Sequence, residues 1–182
     1  MEKDIKKILI SNEEIVARCK ELAEQINKDY VGSRPILVGL LKGSVPFMAE
    51  LLKHITLYCQ TEYMVVSSYH GGTQSSGDIK IIKDLDVSIV DKDIIIVEDI
   101  VDTGITLNTI IKLLKHRGAR SVEVASLLNK EARRVLPVDA KYVGFNIPDE
   151  FVIGFGLDYD ELYRNLPYVC VLKEEVYQRR EA

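Results

Sequence analysis

IIIVEDIVDTGITL, residues Ile94 to Leu107, is the stretch on which the fold turns. Ile94, Ile95, Ile96 and Val97 form a β-branched run with no polar face, which reads as a strand buried on both sides, in the middle of a parallel sheet. The run ends in Glu98 and Asp99. Two apolar residues and Asp102-Thr103-Gly104 follow, and an amphipathic helix is expected from about Ile105. A strand, an acidic glycine-containing turn and a helix place this loop at the carboxyl edge of an open α/β sheet, where such sheets bind ligands. A helix N-terminus offers unpaired N–H groups and positive dipole to a phosphate, and Gly104 allows close backbone approach. Glu98 and Asp99 suit hydroxyl groups, a magnesium ion, or both. Together these are the groups that recognise a ribose phosphate. The competing reading is a solvated turn with Asp102 or Thr103 as helix cap. It leaves two acids on the end of a buried strand unexplained.

Working outward, the 182 residues suffice for one domain burying roughly 70% of its unfolded surface. With 47% hydrophobic and 29% charged residues, the composition is that of a globular chain. A net charge of −4 argues against broad nucleic-acid binding. Cys19, Cys59 and Cys170 are far apart in apolar settings, and His54, His70 and His116 are equally scattered. That pattern fits thiols in a reducing cytoplasm and has neither disulfide nor zinc spacing. MEKDIKKILI lacks a signal-type apolar core, and no run approaches membrane-spanning length, so a cytoplasmic chain with no membrane partner is expected.

Ser11 followed by Glu14 marks a helix start, and Ile15, Val16, Cys19, Leu22, Ala23 and Ile26 give its apolar stripe. Asp29 to Arg34 breaks the chain. Pro35 to Leu41 reads as a buried strand ending in Lys42-Gly43-Ser44, with a helix through Val45, Phe47, Met48, Leu51 and Leu52. That turn suits an anion, although an ordinary strand–helix turn with an exposed Lys fits as well. Its spacing is not that of a Walker A loop. Glu62 to Ser67 is a strand, and SYHGGTQSSGD (68–78) is a Gly/Ser-rich loop whose β-prone arms suggest a ribbon closing over the site as a lid. Tyr69 is either an idle tip residue or a group that closes on ligand. After the helix ending near Arg117-Gly118, Ser121 to Leu128 delivers Asn129-Lys130-Glu131 to the same edge. Further strands are read at Tyr142 to Asn146, Phe151 to Leu157 and Tyr168 to Leu172, followed by a charged tail from Lys173. Strands alternating with helices, without repeat or linker, give a single α/β domain over residues 1–182. It is a doubly wound, mostly parallel sheet flanked by helices, with a small hood and a lid.

Four strand ends thus aim Lys42-Gly43, Glu98 to Thr106, Lys130 and Asp158 at one edge: two anion sites, an acid pair for a diol, and a carboxylate for Mg²⁺. VEDIVDTG with Ile105-Thr106 resembles the phosphoribosyl-pyrophosphate signature of type I phosphoribosyltransferases. LKGS (41–44), SSY (67–69), LLNK (127–130) and FVIGFGLDYDELYRNLP (151–167) are similar to the hypoxanthine-guanine branch, in order, and the likeness runs from about residue 8 to about 173.

The resemblance implies transfer of phosphoribose from phosphoribosyl pyrophosphate to hypoxanthine or guanine, giving IMP or GMP and pyrophosphate. It places Glu98 and Asp99 at the ribose hydroxyls and a magnesium, and Asp102 near purine N7 as general base. Thr103, Gly104, Ile105 and Thr106 would hold the 5′-phosphate, and Lys130 the purine O6. A buried ammonium rejects adenine, whose amine would face it donor to donor. Phe151 would stack on the base and the Val152 carbonyl accept from guanine's 2-amino group. Asp158 would hold a second magnesium and Arg164 the same phosphate group. Lys42-Gly43 would bind pyrophosphate through a Leu41–Lys42 peptide that is cis in relatives. Ser68 and Tyr69 would belong to the lid, and the chain would be a homo-oligomer, a dimer or tetramer. His70 departs from the glycine common in relatives and is read as a bystander. Two other readings compete: a non-catalytic nucleotide sensor, disfavoured by the charge and by termini too short for a nucleic-acid-binding domain, and a xanthine-preferring transferase.

Overall fold

The structure, a computed structural model, describes residues 1–68 and 79–178. In chain order its elements are β1 (Ile5–Ile10), α1 (Asn12–Asp29), β2 (Ile36–Leu40), α2 (Val45–Leu52), β3 (Gln60–Ser68), β4 (Ile79–Lys83) and β5 (Asp93–Val101). There follow α3 (Ile105–His116), β6 (Ser121–Asn129), β7 (Tyr142–Asn146), β8 (Val152–Ile153), β9 (Val169–Leu172) and α4 (Glu174–Gln178).

The Ile94–Val97 run does what its composition dictates. β5 lies inside a six-stranded sheet of order β4-β3-β2-β5-β6-β7, parallel throughout except for β4. Ile94 pairs in register with Ile36 on one side and Val122 on the other. Successive residues face opposite ways. Ile95 and Val97 pack with Ile15, Cys19, Phe47 and Leu51 of α1 and α2. Ile94 and Ile96 pack with Leu107, Ile110 and Leu114 of α3. Helices therefore cover both faces, the condition for an all-apolar strand. The start of β5 is fixed by Asp93, which accepts from Ser33 at 2.6 Å, from Ser121 at 2.8 Å and from the Arg120 guanidinium. Arg120 and the two hydroxyls hold the Asp93 carboxyl well below the usual carboxylate range.

Three sequence expectations need correction. β5 does not stop at the acids but continues to Val101. Pairing with β6 persists through Glu98↔Ser126 and Val101↔Asn129, so the backbone ladder outlasts the apolar run. Phe151 to Leu157 is not a full strand, because only Val152–Ile153 pairs. Beyond it Gly154, Phe155 and Gly156 have positive φ, and the chain turns back over the sheet edge. The N-terminal lead-in and the tail are also structured. β1 pairs antiparallel with β9, and β9 with β8, forming the hood. α4 docks on the hood through Val176 and Tyr177 against a core of Ile153, Leu166 and Cys170.

Ser11 and Glu14 form the full capping box of α1. β3 and β4 are the antiparallel ribbon expected at the lid arms. Tyr69, His70 and the rest of the segment to Asp78, expected from the sequence to form a lid, lie outside the described residues, as does the Ser68 side chain. Cys19 and Cys170 are buried and Cys59 half-buried; burial, aided by the nearby Glu50 charge, pushes the Cys19 thiol up to about 12. Among the described residues no helix is long and apolar enough to cross a membrane.

Candidate active site

Parallel strands deliver their carboxyl ends to one edge, so β2, β5 and β6 bring the expected groups together there. The end of β5, the turn after it and the start of α3 wall a cavity of about 150 Å³ with Glu98, Ile100, Val101, Asp102, Thr103, Gly104, Thr106 and Leu107. Gly104 is the N-cap of α3 at φ 78°, a left-handed conformation that glycine adopts without steric cost. A side chain there would also press on the Leu136 carbonyl. No side chain caps this helix. Thr103 Oγ1 comes only to 3.4 Å from the Ile105 N–H, so the cap reading accounts weakly for Thr103 and not at all for Asp102. The helix end is left to a ligand, and its open N–H groups and dipole suit a phosphate.

Asp102 Oδ1 is buried without a hydrogen-bond partner. Buried carboxylate oxygens are normally satisfied, so an orphan beside a cavity marks a place reserved for a donor. Its backbone is held tightly instead. Arg134 donates to the carbonyls of Asp102 (2.9 Å) and Val101 (3.0 Å) and to Asn129 Oδ1 (2.6 Å). Val135 and Leu136 N–H groups donate to the Thr103 carbonyl. Arg134 was missed by sequence reasoning: it belongs to no apolar pattern, and its role depends on a loop that folds back from β6.

Lys130 closes the end of β6. Its N–H donates to the Val101 carbonyl at 2.9 Å, and the residue is 5% exposed. The ammonium donates to the Glu150 carbonyl at 2.9 Å, with Asp149 Oδ1 at 4.0 Å. The next residue, Phe151, keeps 38% of its surface exposed, and Val152 is buried in β8.

Glu98 and Asp99 stand side by side, half-buried. Burial, and then the neighbouring Asp99 charge, raises the Glu98 carboxyl well above the usual range. Burial pushes the Asp99 carboxyl up to about 6, with Asp158 adding to the rise and the Ile100 N–H and Arg164 opposing it. Two acids that resist ionising together offer a donor set that a divalent cation would relieve. Among the described residues no three His, Cys, Asp or Glu side chains converge. Asp158 is already partnered, with Oδ1 paired to Arg164 at 2.9 Å and Oδ2 accepting from the Glu161 N–H.

Because its carboxyl is raised, folded Asp99 holds a proton that the unfolded chain has already released. Its stabilising contribution is therefore complete at low pH and lost as pH rises from about 4 through about 6. The acids held low, Asp84 and Asp93 among them, lose their contributions below that window. In chelator, Asp99→Asn should accordingly raise the melting midpoint at pH 7.5 by roughly 2–4 °C and flatten its pH dependence between about 4 and 7. A calorimetric scan showing an unchanged or lower midpoint would contradict this.

The anion turn is less free than the sequence suggests. The Leu41–Lys42 peptide is cis. Lys42 Nζ reaches across to Glu161 Oε2 at 2.7 Å, and both side chains are largely exposed. Gly43 lies so close to Asp99 that an added Cβ would run into its carboxylate, and Gly156 leans on the Gly43 carbonyl from the hood. Gly43→Ala should therefore displace both the anion turn and the acid pair. We expect KM for the phosphorylated substrate to rise about tenfold, with the melting midpoint moving little. Unchanged KM would show that the two loops are not coupled.

Residues 7–160 match the phosphoribosyl transferase domain family. The chain is 56% identical over 179 residues to a hypoxanthine-guanine phosphoribosyltransferase of Streptococcus mutans, covering 98% of this chain and 99% of that one. A crystal structure of a hypoxanthine phosphoribosyltransferase from Staphylococcus aureus superposes with a TM-score of 0.94 at 53% identity, over 97% of this chain and 96% of that chain. A Trypanosoma cruzi hypoxanthine phosphoribosyltransferase variant complexed with its product IMP superposes with a TM-score of 0.93 at 40% identity, over 99% and 97%. Over nearly its whole length, the chain belongs to the phosphoribosyltransferase family, in its hypoxanthine-guanine branch.

Proposed function

We propose that the chain transfers the 5-phosphoribosyl group of phosphoribosyl pyrophosphate to hypoxanthine or guanine, giving IMP or GMP and pyrophosphate, the chemistry of purine salvage. One observation carries the reading: the unpaired buried oxygen of Asp102 and the buried ammonium of Lys130 lie on adjoining strand ends tied by the Lys130 N–H to Val101 hydrogen bond. An acceptor and a donor so placed can address N7 and O6 on one edge of a 6-oxopurine.

The bond from ribose C1 to the pyrophosphate oxygen breaks, its electron pair leaving with pyrophosphate, while the purine nitrogen bonds to C1 through an oxocarbenium-like transition state. Asp102 takes the purine proton as this happens. Thr103, Gly104, Ile105 and Thr106 hold the 5′-phosphate at the start of α3. Phe151 stacks on the base and the Val152 carbonyl reads the 2-position. Lys42, Gly43 and Arg164 receive pyrophosphate; the Lys42–Glu161 pair is exposed and therefore weak, so an incoming anion can displace it. Mg²⁺ would be held by Glu98 and Asp99 with the ribose hydroxyls, and by Asp158 at the pyrophosphate, where it would neutralise the leaving charge. Ser68 and Tyr69 begin a lid that keeps water from the cationic centre. We further assign a single domain over residues 1–182, a cytoplasmic location and a homo-oligomeric state, a dimer or tetramer.

A spectrophotometric assay with phosphoribosyl pyrophosphate, Mg²⁺ and each of hypoxanthine, guanine, xanthine and adenine tests the reading. Turnover of hypoxanthine and guanine is expected. Turnover of adenine alone would overturn it, and a preference for xanthine would move the assignment to the 2-position contacts near Val152.

A further inference from the structure

Phe151 sits where three parts of the site meet. The carbonyl of the preceding residue, Glu150, holds the Lys130 ammonium. Its own carbonyl accepts from the Leu172 N–H at the end of β9. Two residues after Leu172 the chain starts α4, which carries Tyr177. The Tyr177 ring stacks on the Phe151 ring with centroids 5.0 Å apart and planes 24° from parallel. Tyr159 meets the Phe151 ring edge-on, centroids 5.7 Å apart at 85°. Phe151 is thus flanked by one stacked and one perpendicular aromatic ring, yet the residue remains 38% exposed. That remaining surface is where a purine could stack.

We propose that Tyr177 is a positioning residue for the purine: it backs Phe151 from the C-terminal helix and fixes the plane on which the base stacks. The proposal rests on the transferase reading above and deepens it. An unsupported phenylalanine at a loop end would sample several rotamers, and binding the base would have to select one of them. A stacked neighbour removes that selection before the base arrives, which favours binding without touching the ligand. Val176 anchors α4 to the hood core next to Tyr177, so the helix carries the ring as part of a packed unit. The C-terminal segment, far in sequence from the phosphoribose loop, thereby sets part of the affinity for the base.

The test is steady-state kinetics on the full chain, run first on the parent to establish turnover of hypoxanthine and guanine; absence of that turnover would refute the transferase reading itself. Given turnover, Tyr177→Ala should raise KM for either base roughly three- to tenfold, leaving kcat and KM for phosphoribosyl pyrophosphate within about twofold. Tyr177→Phe, which keeps the ring, should behave like the parent. In a Phe151→Leu background Tyr177→Ala should have little further effect, because the stack it supports is gone. Three results would overturn the proposal: an unchanged base KM in Tyr177→Ala, a base KM effect of equal size in the Phe151→Leu background, or a parallel loss in both substrates' KM values and kcat that marks a merely structural role. Size-exclusion chromatography of each variant keeps an altered assembly from being read as an altered stack.

Discussion

Asp102→Asn should lower kcat by ~10²-fold or more, the usual scale for losing a general base, while KM for phosphoribosyl pyrophosphate stays within about twofold. The expectation follows from how the loop is held. Arg134 fixes the carbonyls of Val101 and Asp102, and Val135 and Leu136 fix that of Thr103, so the path of the chain depends on backbone atoms that the substitution leaves in place. The side chain, by contrast, spends no hydrogen bond on the protein through Oδ1. Asparagine has nearly the same shape, cannot take a proton, and can offer an N–H where the carboxylate offered an acceptor. Chemistry is therefore lost while architecture is kept. Single-turnover kinetics with hypoxanthine would show a slowed chemical step, and a thermal scan a midpoint close to the parent's. Full activity in the variant would remove Asp102 from the role of base; a collapsed midpoint would move it into the scaffold.

The contrast between Asp102 and Arg134 shows which features can be read from sequence. β5, α3 and the turn between them were legible because their signals are local: a β-branched run, a glycine at a helix start, an apolar stripe at helical spacing. The capping box at Ser11 and Glu14 was legible for the same reason. The acid pair was legible in kind, but its placement on the strand was not, because hydrogen bonding to β6 carries β5 past the point where its apolar pattern stops. The hood was only half legible. In β1, IKKILI has no clean alternation, and its exposure pattern follows from pairing with β9, some 160 residues away. Arg134, the Lys42–Glu161 pair and the Phe151–Tyr177 stack are all contacts between distant segments. Nothing in the spacing of either partner announces them. Family resemblance supplied residue roles at the site and left these supporting contacts unread.

Lys130→Met should reduce kcat/KM for hypoxanthine and guanine by roughly 10- to 100-fold, mostly through KM for the base. Hydrogen bonds to a charged donor are worth about 1.5–3 kcal/mol, which corresponds to that range. The substitution keeps an unbranched side chain of similar length and removes only the ammonium. In the structure that ammonium has one close acceptor, the Glu150 carbonyl, and a carboxylate oxygen at 4.0 Å. With a side chain only 7% exposed, its remaining N–H capacity is shielded from water, so in the proposed role it should discriminate strongly between a base that presents O6 as acceptor and one that presents an amine. Loss of the ammonium should therefore cut the preference for hypoxanthine over adenine more through a fall in the former than a gain in the latter. Methionine supplies only a weak thioether acceptor for adenine's amine, and the Glu150 carbonyl is left unpaired. That orphan should also lower the melting midpoint by a few degrees, a cost of about 1–3 kcal/mol. The two readouts separate the roles of one residue: the base-specific KM reports recognition of O6, and the midpoint reports the tie between β6 and the Glu150 turn. A lower midpoint with unchanged guanine kinetics would mean that Lys130 is only that tie, and that the choice between 6-oxo and 6-amino purines is made elsewhere in the site.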